Sequence, residues 1–182
     1  MTTALDSRGL VLVTGSPGSG KTTVGDELRR RGYGVFDVDR LARWFENASG
    51  AEVSMPSYRD DAWFAEHTYR LPVETVRRIA DEAAGLTFIC GTTGNEAEIW
   101  DLFDAVVSLS VDAPTLRRRL AGRPGGFGST RAELGRVLTW HANVDTDNAR
   151  YGALLIDATA PIAQVASEIL TTLARRNLSH EQ

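Results

Sequence analysis

Lys21 and Thr22 follow Gly15, Ser16, Pro17, Gly18, Ser19 and Gly20 at the spacing G-x-x-x-x-G-K-[ST]. Glycine takes positive φ without steric cost, so this run can curl its backbone N–H groups inward. Such a cradle suits phosphate. The lysine after the last glycine reaches the β- and γ-phosphates, and the hydroxyl of the next residue ligates Mg²⁺. Thr23 continues into a helix-like stretch ending near residue 31, whose positive N-terminus faces the same point. An apolar run at 10–13 precedes the glycines. The order strand, glycine-rich loop, helix is the context this motif requires, and it predicts binding of a nucleoside triphosphate with Mg²⁺.

Two more groups could act on a bound phosphate chain. Asp37 and Asp39 alternate at the end of a second short strand, so at most one need face the phosphates. A carboxylate near an alcohol acceptor can orient it and take its proton, and a second can hold Mg²⁺ through water. Asp39 is assigned to the acceptor and Asp37 to the metal side; capping a helix is the bland alternative for either. Arg119, Arg123 and Arg136 supply guanidinium forks that match phosphate oxygens. Arg117 and Arg118 read as a solvated helix face. On the acceptor side stand Arg43, Gly91, Thr92 and Asn95. Thr92, Thr93 and Asn95 offer the neutral hydrogen bonds a hydroxylated or nucleoside-like molecule would take. Residues 44–70 should cap the acceptor. Their Trp44, Tyr58, Trp63 and Tyr69 could stack on a base or form the cap's own small core.

The totals limit the alternatives. A chain of 182 residues suits one α/β domain with a real core. A single cysteine, Cys90, allows no intramolecular disulfide and suits a reducing, cytoplasmic setting. No signal peptide and no apolar stretch of membrane-spanning length is read. The net charge of −4 argues against a broad nucleic-acid surface. His67, His141 and His180 show no metal-ligand spacing with Cys90.

Elements must position these groups. Short buried strands are expected at 10–14, 35–36, 86–90, 105–111 and 153–156. Helices are expected at 21–31, 41–45, 58–70, 72–84, 96–103, from Asp112 toward residue 123, at 130–143 and at 162–176. Residues 47–57 read as a loop, 145–151 as a polar stretch of no assigned structure, and the glycine-rich 124–129 as the most flexible segment. Five alternations of strand and helix predict an α/β fold: a five-stranded parallel sheet with helices on both faces and right-handed crossovers. Ligands in such sheets bind beyond the C-terminal strand ends, where all the groups above fall. One domain over 1–182 is expected, with a helical acceptor-binding region at about 39–84 and a short lid at about 119–130.

The phosphate loop alone names no activity. The guanine-reading N-K-x-D of GTPases is absent, and the strand at 86–90 does not end in the acidic pair of motor-like ATPases. The chain resembles the small P-loop kinases of the adenylate kinase, shikimate kinase and gluconate kinase group. The resemblance rests on the P-loop; on Phe36-Asp37-Val38-Asp39; on Phe103-Asp104 followed by Leu116, Arg119-Leu120 and Arg123; and on Ile156-Asp157-Ala158-Thr159-Ala160-Pro161, similar to the loop over the adenine. It implies ATP with one Mg²⁺, Asp157, Thr159 and Pro161 at the base, and an arginine-bearing lid. The loop at 90–95 lacks both the arginine of nucleoside-monophosphate kinases and the triple glycine of shikimate kinases, so the acceptor stays open. The expected activity is transfer of the γ-phosphoryl group to a nucleoside, nucleotide or other small hydroxylated metabolite, by a monomer or homodimer. A polynucleotide 5′-hydroxyl kinase, suggested by Asp39-Arg40, and a nucleotide-gated binding protein are the alternatives.

Overall fold

The computed structural model describes residues 8–57, 59–122, 128 and 131–180. Its central strands are β1 (Gly9–Thr14), β2 (Gly34–Asp37), β6 (Leu86–Cys90), β7 (Ala105–Ser110) and β8 (Leu154–Asp157). They form one parallel sheet in the order β2-β6-β1-β7-β8. The central strand β1 is apolar at every position from Leu10 to Val13 because both its faces are covered. Val11 and Val13 pack with Val24 and Leu28 of α1 (Lys21–Arg30) and with Val165 and Ile169 of α8 (Ile162–His180). Leu10 and Leu12 pack on the opposite side with Val76 and Ile79 of α4 (Val73–Glu82). The edge strands β2 and β8 leave Phe36 and Leu155 exposed.

Local chemistry sets the helix ends. Asp112 caps α6 (Ala113–Ala121) by accepting the Thr115 N–H at 2.7 Å, with Pro114 in the first turn and Gly122 at the end. Pro72 and Pro161 stand just before α4 and α8. The helix α7 (Arg131–Arg150) runs seven residues past the predicted end at 143, taking in most of the polar stretch at 145–151. No helix among the described residues is long and apolar enough to cross a membrane.

The region expected to be helical at 39–84 is in fact mixed. It contains α2 (Val38–Leu41), β3 (Arg43–Glu46), β4 (Glu52–Val53), α3 (Asp61–Glu66) and β5 (His67–Arg70) before α4. β3 pairs antiparallel with both β4 and β5. The predicted helix at 41–45 is replaced by the strand Arg43–Glu46, and the helix predicted at 58–70 is present only as Asp61–Glu66 and gives way to the strand His67–Arg70; Tyr58 lies outside the described residues. Runs of four residues are too short for periodicity to separate helix from strand. Partners more than 20 residues away decide it. Trp44 sits opposite Tyr69 with ring centroids 5.2 Å apart, the kind of cross-strand aromatic pair that favours a sheet.

Candidate active site

The backbone between β1 and α1 turns through Gly15, Gly18 and Gly20, with φ of 135°, 88° and 107°. At Gly15 a Cβ would stand 2.7 Å from the carbonyl oxygen of Leu109 on β7, so only glycine lets the loop leave the sheet here. The Ser19 N–H donates to the Ser16 carbonyl at 3.0 Å, closing the curl. No side chain caps α1, which leaves its first N–H groups for an anion. Lys21 Nζ donates to the carbonyls of Gly15 and Ser16 at 2.7 and 2.8 Å. Arg119, on α6, bridges the loop to the end of β8, donating to Ser19 O at 3.0 Å and Ala158 O at 2.8 Å.

This loop floors a cavity of about 1920 Å³ whose far wall is the cap. Pro17, Gly18, Ser19, Gly20, Lys21, Thr22 and Thr23 line the cavity. Asp37, Asp39, Arg43, Trp44 and Tyr69 line it as well. Asp37 caps α2 by accepting the Asp39 N–H at 3.0 Å. The Asp39 carboxylate accepts the Tyr69 hydroxyl at 3.4 Å. Burial and the Asp39 charge push the Tyr69 phenol up to about 12, so it remains a donor at neutral pH. Arg43 donates to the carbonyls of Arg40 and Ala42.

The loop after β6 ties the phosphate loop to the cap. Thr92 Oγ1 donates to Gly15 O at 2.8 Å. The Gly94 N–H donates to Tyr69 O at 2.6 Å. Asn95, expected to meet the acceptor, is buried instead: its side-chain carbonyl accepts the Leu71 N–H at 2.9 Å and its amide donates to Leu71 O at 3.1 Å. It therefore braces the end of the cap and does not line the cavity. Arg70 and Glu98 add an ion pair across the same join. Gly91 is held against α2, where a Cβ would lie 2.2 Å from Val38 Cβ at a φ of +154°. Gly91→Ala is expected to cost about 3 kcal/mol from overlap and backbone strain. A fall in the thermal midpoint of roughly 6–12 °C in calorimetry would express that cost.

One carboxylate escaped the sequence reading. Glu96 opens α5 (Glu96–Ile99) and lines the cavity. It accepts the Thr14 hydroxyl at 2.7 Å and the Thr93 N–H at 3.4 Å, both on Oε1. Burial pushes its carboxyl up; these two bonds and the Lys21 charge pull the other way. A single acid at the start of a short helix, Glu96 carries no spacing signal. A second omission did have one. His141, Asp145 and Asn148 fall at i, i+4 and i+7 on α7, one helical stripe. Each meets a serine: His141 Nδ1 stands 2.8 Å from Ser16 Oγ of the phosphate loop, and on β7 Asp145 accepts from Ser110 and Asn148 donates to Ser108 Oγ at 2.9 Å. Trp140, Val144 and Asp147 of the same helix line the cavity.

Other expected site residues fall elsewhere. Arg136 pairs with Asp61 and lies over the Phe64 ring at 4.7 Å, joining α7 to the cap and not to the phosphate loop. Asp157, Thr159 and Pro161 shape the turn after β8. The Asp157 carboxylate accepts the Thr159 N–H and hydroxyl at 2.8 and 2.7 Å, bonds that hold its carboxyl below the usual range. It is their neighbours Ala158, Ala160 and Ile162 that line the cavity. Arg123, and most of the lid expected at 119–130, lie outside the described residues.

A glycine-rich loop and its lysine at the tip of the central strand, in a parallel sheet of this order, define the P-loop class of folds. A family model described as "AAA domain" matches residues 11–133, and the chain belongs to that family. Among curated proteins none matches the sequence. Among solved structures the chain is similar to a gluconokinase from Sinorhizobium meliloti 1021, at 20% identity over 96% of this chain and 98% of that one, with a TM-score of 0.59. It is similar to a shikimate kinase from Acinetobacter baumannii in complex with shikimate, at 17% identity over 98% and 99%, with a TM-score of 0.65. A deoxyadenosine kinase from M. mycoides with bound dATP aligns at 13% identity over 90% and 98%, with a TM-score of 0.52. The fold is that of the small P-loop kinases.

Proposed function

We propose that this protein is an ATP-dependent phosphotransferase that moves the γ-phosphoryl group to a nucleoside, nucleotide or other small hydroxylated metabolite. One observation carries the reading: the phosphate loop and the Asp39–Tyr69 pair open into the same cavity. A protein that only sensed nucleotide would need the first and not the second. In the transfer, the acceptor oxygen bonds to the γ-phosphorus and the bond to the β–γ bridging oxygen breaks. ADP leaves and the acceptor proton passes to the Asp39 carboxylate. Lys21 and Arg119, which line the cavity, would balance charge on the phosphates, and the aromatic side chains of Trp44, Phe64 and Tyr69 there would suit a planar acceptor.

The donor set fits Mg²⁺. Among the described residues no group of three or more histidines, cysteines and acids forms a ready metal cage. The Thr22 hydroxyl and the Asp37 and Glu96 carboxylates nonetheless share the cavity with the phosphate loop. That is the pattern of an ion held by one or two protein oxygens, phosphates and water. When bound, Mg²⁺ would neutralise phosphate charge.

The polynucleotide reading draws little support from the walls. Among the described lining residues, Asp37, Asp39, Glu52, Glu96, Glu133 and Asp147 outnumber Lys21, Arg43, Arg59 and Arg119, a poor surface for a polyanion. The test is a screen of nucleosides, nucleotides, small alcohols and a single-stranded oligonucleotide with labelled ATP. Label transfer that appears with one small acceptor supports the proposal. Nucleotide binding with no acceptor-dependent turnover would leave a binding protein instead.

A further inference from the structure

β6 lies directly beside β1, with Cys90 level with Val13. In phosphate-loop enzymes an ion on the loop's Ser or Thr hydroxyl is also held by a carboxylate, and the tip of the strand beside β1 is one place that could supply it. That tip carries Cys90, Gly91 and Thr92, and no acid. Asp37 is one strand further out, on β2, level with Cys90. Two strand spacings put its backbone about 10 Å from β1, and one oxygen of its carboxylate, Oδ1, caps α2. Glu96 is differently placed. It reaches back from α5 to the Thr14 hydroxyl, on the residue immediately before the phosphate loop. Both of its accepted bonds fall on Oε1; Oε2 takes none from a described residue. The Thr93 hydroxyl, in the loop that leads to Glu96, is buried with no hydrogen-bond partner among the described residues, a cost of about 1–3 kcal/mol.

We propose that Glu96, anchored by Thr14, is the carboxylate that holds the water shell of the magnesium ion at Thr22, in the role the sequence suggested for Asp37. The inference rests on the phosphotransferase reading of the same site. It assigns the metal to the α5 side of the sheet and leaves Asp37 to shape α2 and the acceptor end.

Mn²⁺ serves as the probe, titrated into the full chain with saturating ADP and followed by the electron paramagnetic resonance signal of the free ion. Metal-free ADP affinity is measured in parallel by calorimetry and reports an intact phosphate loop. Glu96→Gln, which can keep a hydrogen bond to Thr14, is expected to weaken Mn²⁺ binding in the ADP complex about tenfold or more, with metal-free ADP affinity unchanged. Thr14→Val, which removes only the anchor, should give a several-fold loss, and Asp37→Asn none. A Glu96→Gln chain that binds Mn²⁺ as the wild type does, or an Asp37→Asn chain that alone loses it, overturns the inference. Wild-type protein whose ADP complex takes up no Mn²⁺ overturns both the inference and the metal-assisted transfer on which it rests.

Discussion

Lys21→Ala is expected to abolish phosphoryl transfer in practice, with a loss of about 10²–10³-fold in turnover, equivalent to about 3–4 kcal/mol of transition-state stabilisation. The ammonium group now donates to the carbonyls of Gly15 and Ser16. Those oxygens belong to the loop itself, so the lysine is stored on the rim it serves. A triphosphate would draw it away from carbonyls that carry only partial charge toward oxygens that carry a full one. Alanine leaves the glycine turns intact, because Gly15, Gly18 and Gly20 set the loop's course independently of this side chain. The measurement is acceptor-dependent release of ADP at saturating ATP, with calorimetric ATP affinity alongside. Turnover within threefold of wild type would remove the lysine from the chemistry.

The second large effect is expected at Asp39. Asp39→Asn keeps the shape and the bond from Tyr69 but removes the charge that takes a proton. Transfer should fall about 10²–10⁴-fold, while ATP affinity stays within about twofold, because Asp39 is not part of the phosphate loop and bonds to Tyr69 of the cap. A single-turnover experiment with labelled ATP separates the two. Transfer at the wild-type rate would defeat the assignment of Asp39 as the base. Tyr69 cannot replace it at neutral pH, since its phenol is pushed up to about 12.

Much of this site was legible in the chain because it depends on local rules. Glycine spacing fixes the loop, and β1 announces its burial on both faces through an unbroken apolar run. The cap was not legible. Arg43–Glu46 and His67–Arg70 are strands only because they pair with each other across 20 intervening residues, an interaction no local window contains. Asn95 looked like a binding amide because its type allows it; the backbone of Leu71, 24 positions away, claims every one of the amide's strong bonds. Glu96 was missed for the converse reason. A carboxylate becomes noteworthy when it is withdrawn from water beside a lysine, and burial is a property of the folded chain. The His141, Asp145 and Asn148 stripe was within reach, had the polar stretch at 145–151 been read as a continuation of α7.

The bracing of the loop after β6 has a mechanical corollary. Its hydrogen bonds clamp Gly15 at one end and Tyr69 and Leu71 at the other. Any guest that sits badly against the cap would therefore tug on the rim that would grip a nucleotide. Misfit would be felt at the reacting phosphorus before it is felt as escape. Discrimination among guests should then be written in how fast each one is processed rather than in how firmly it is retained.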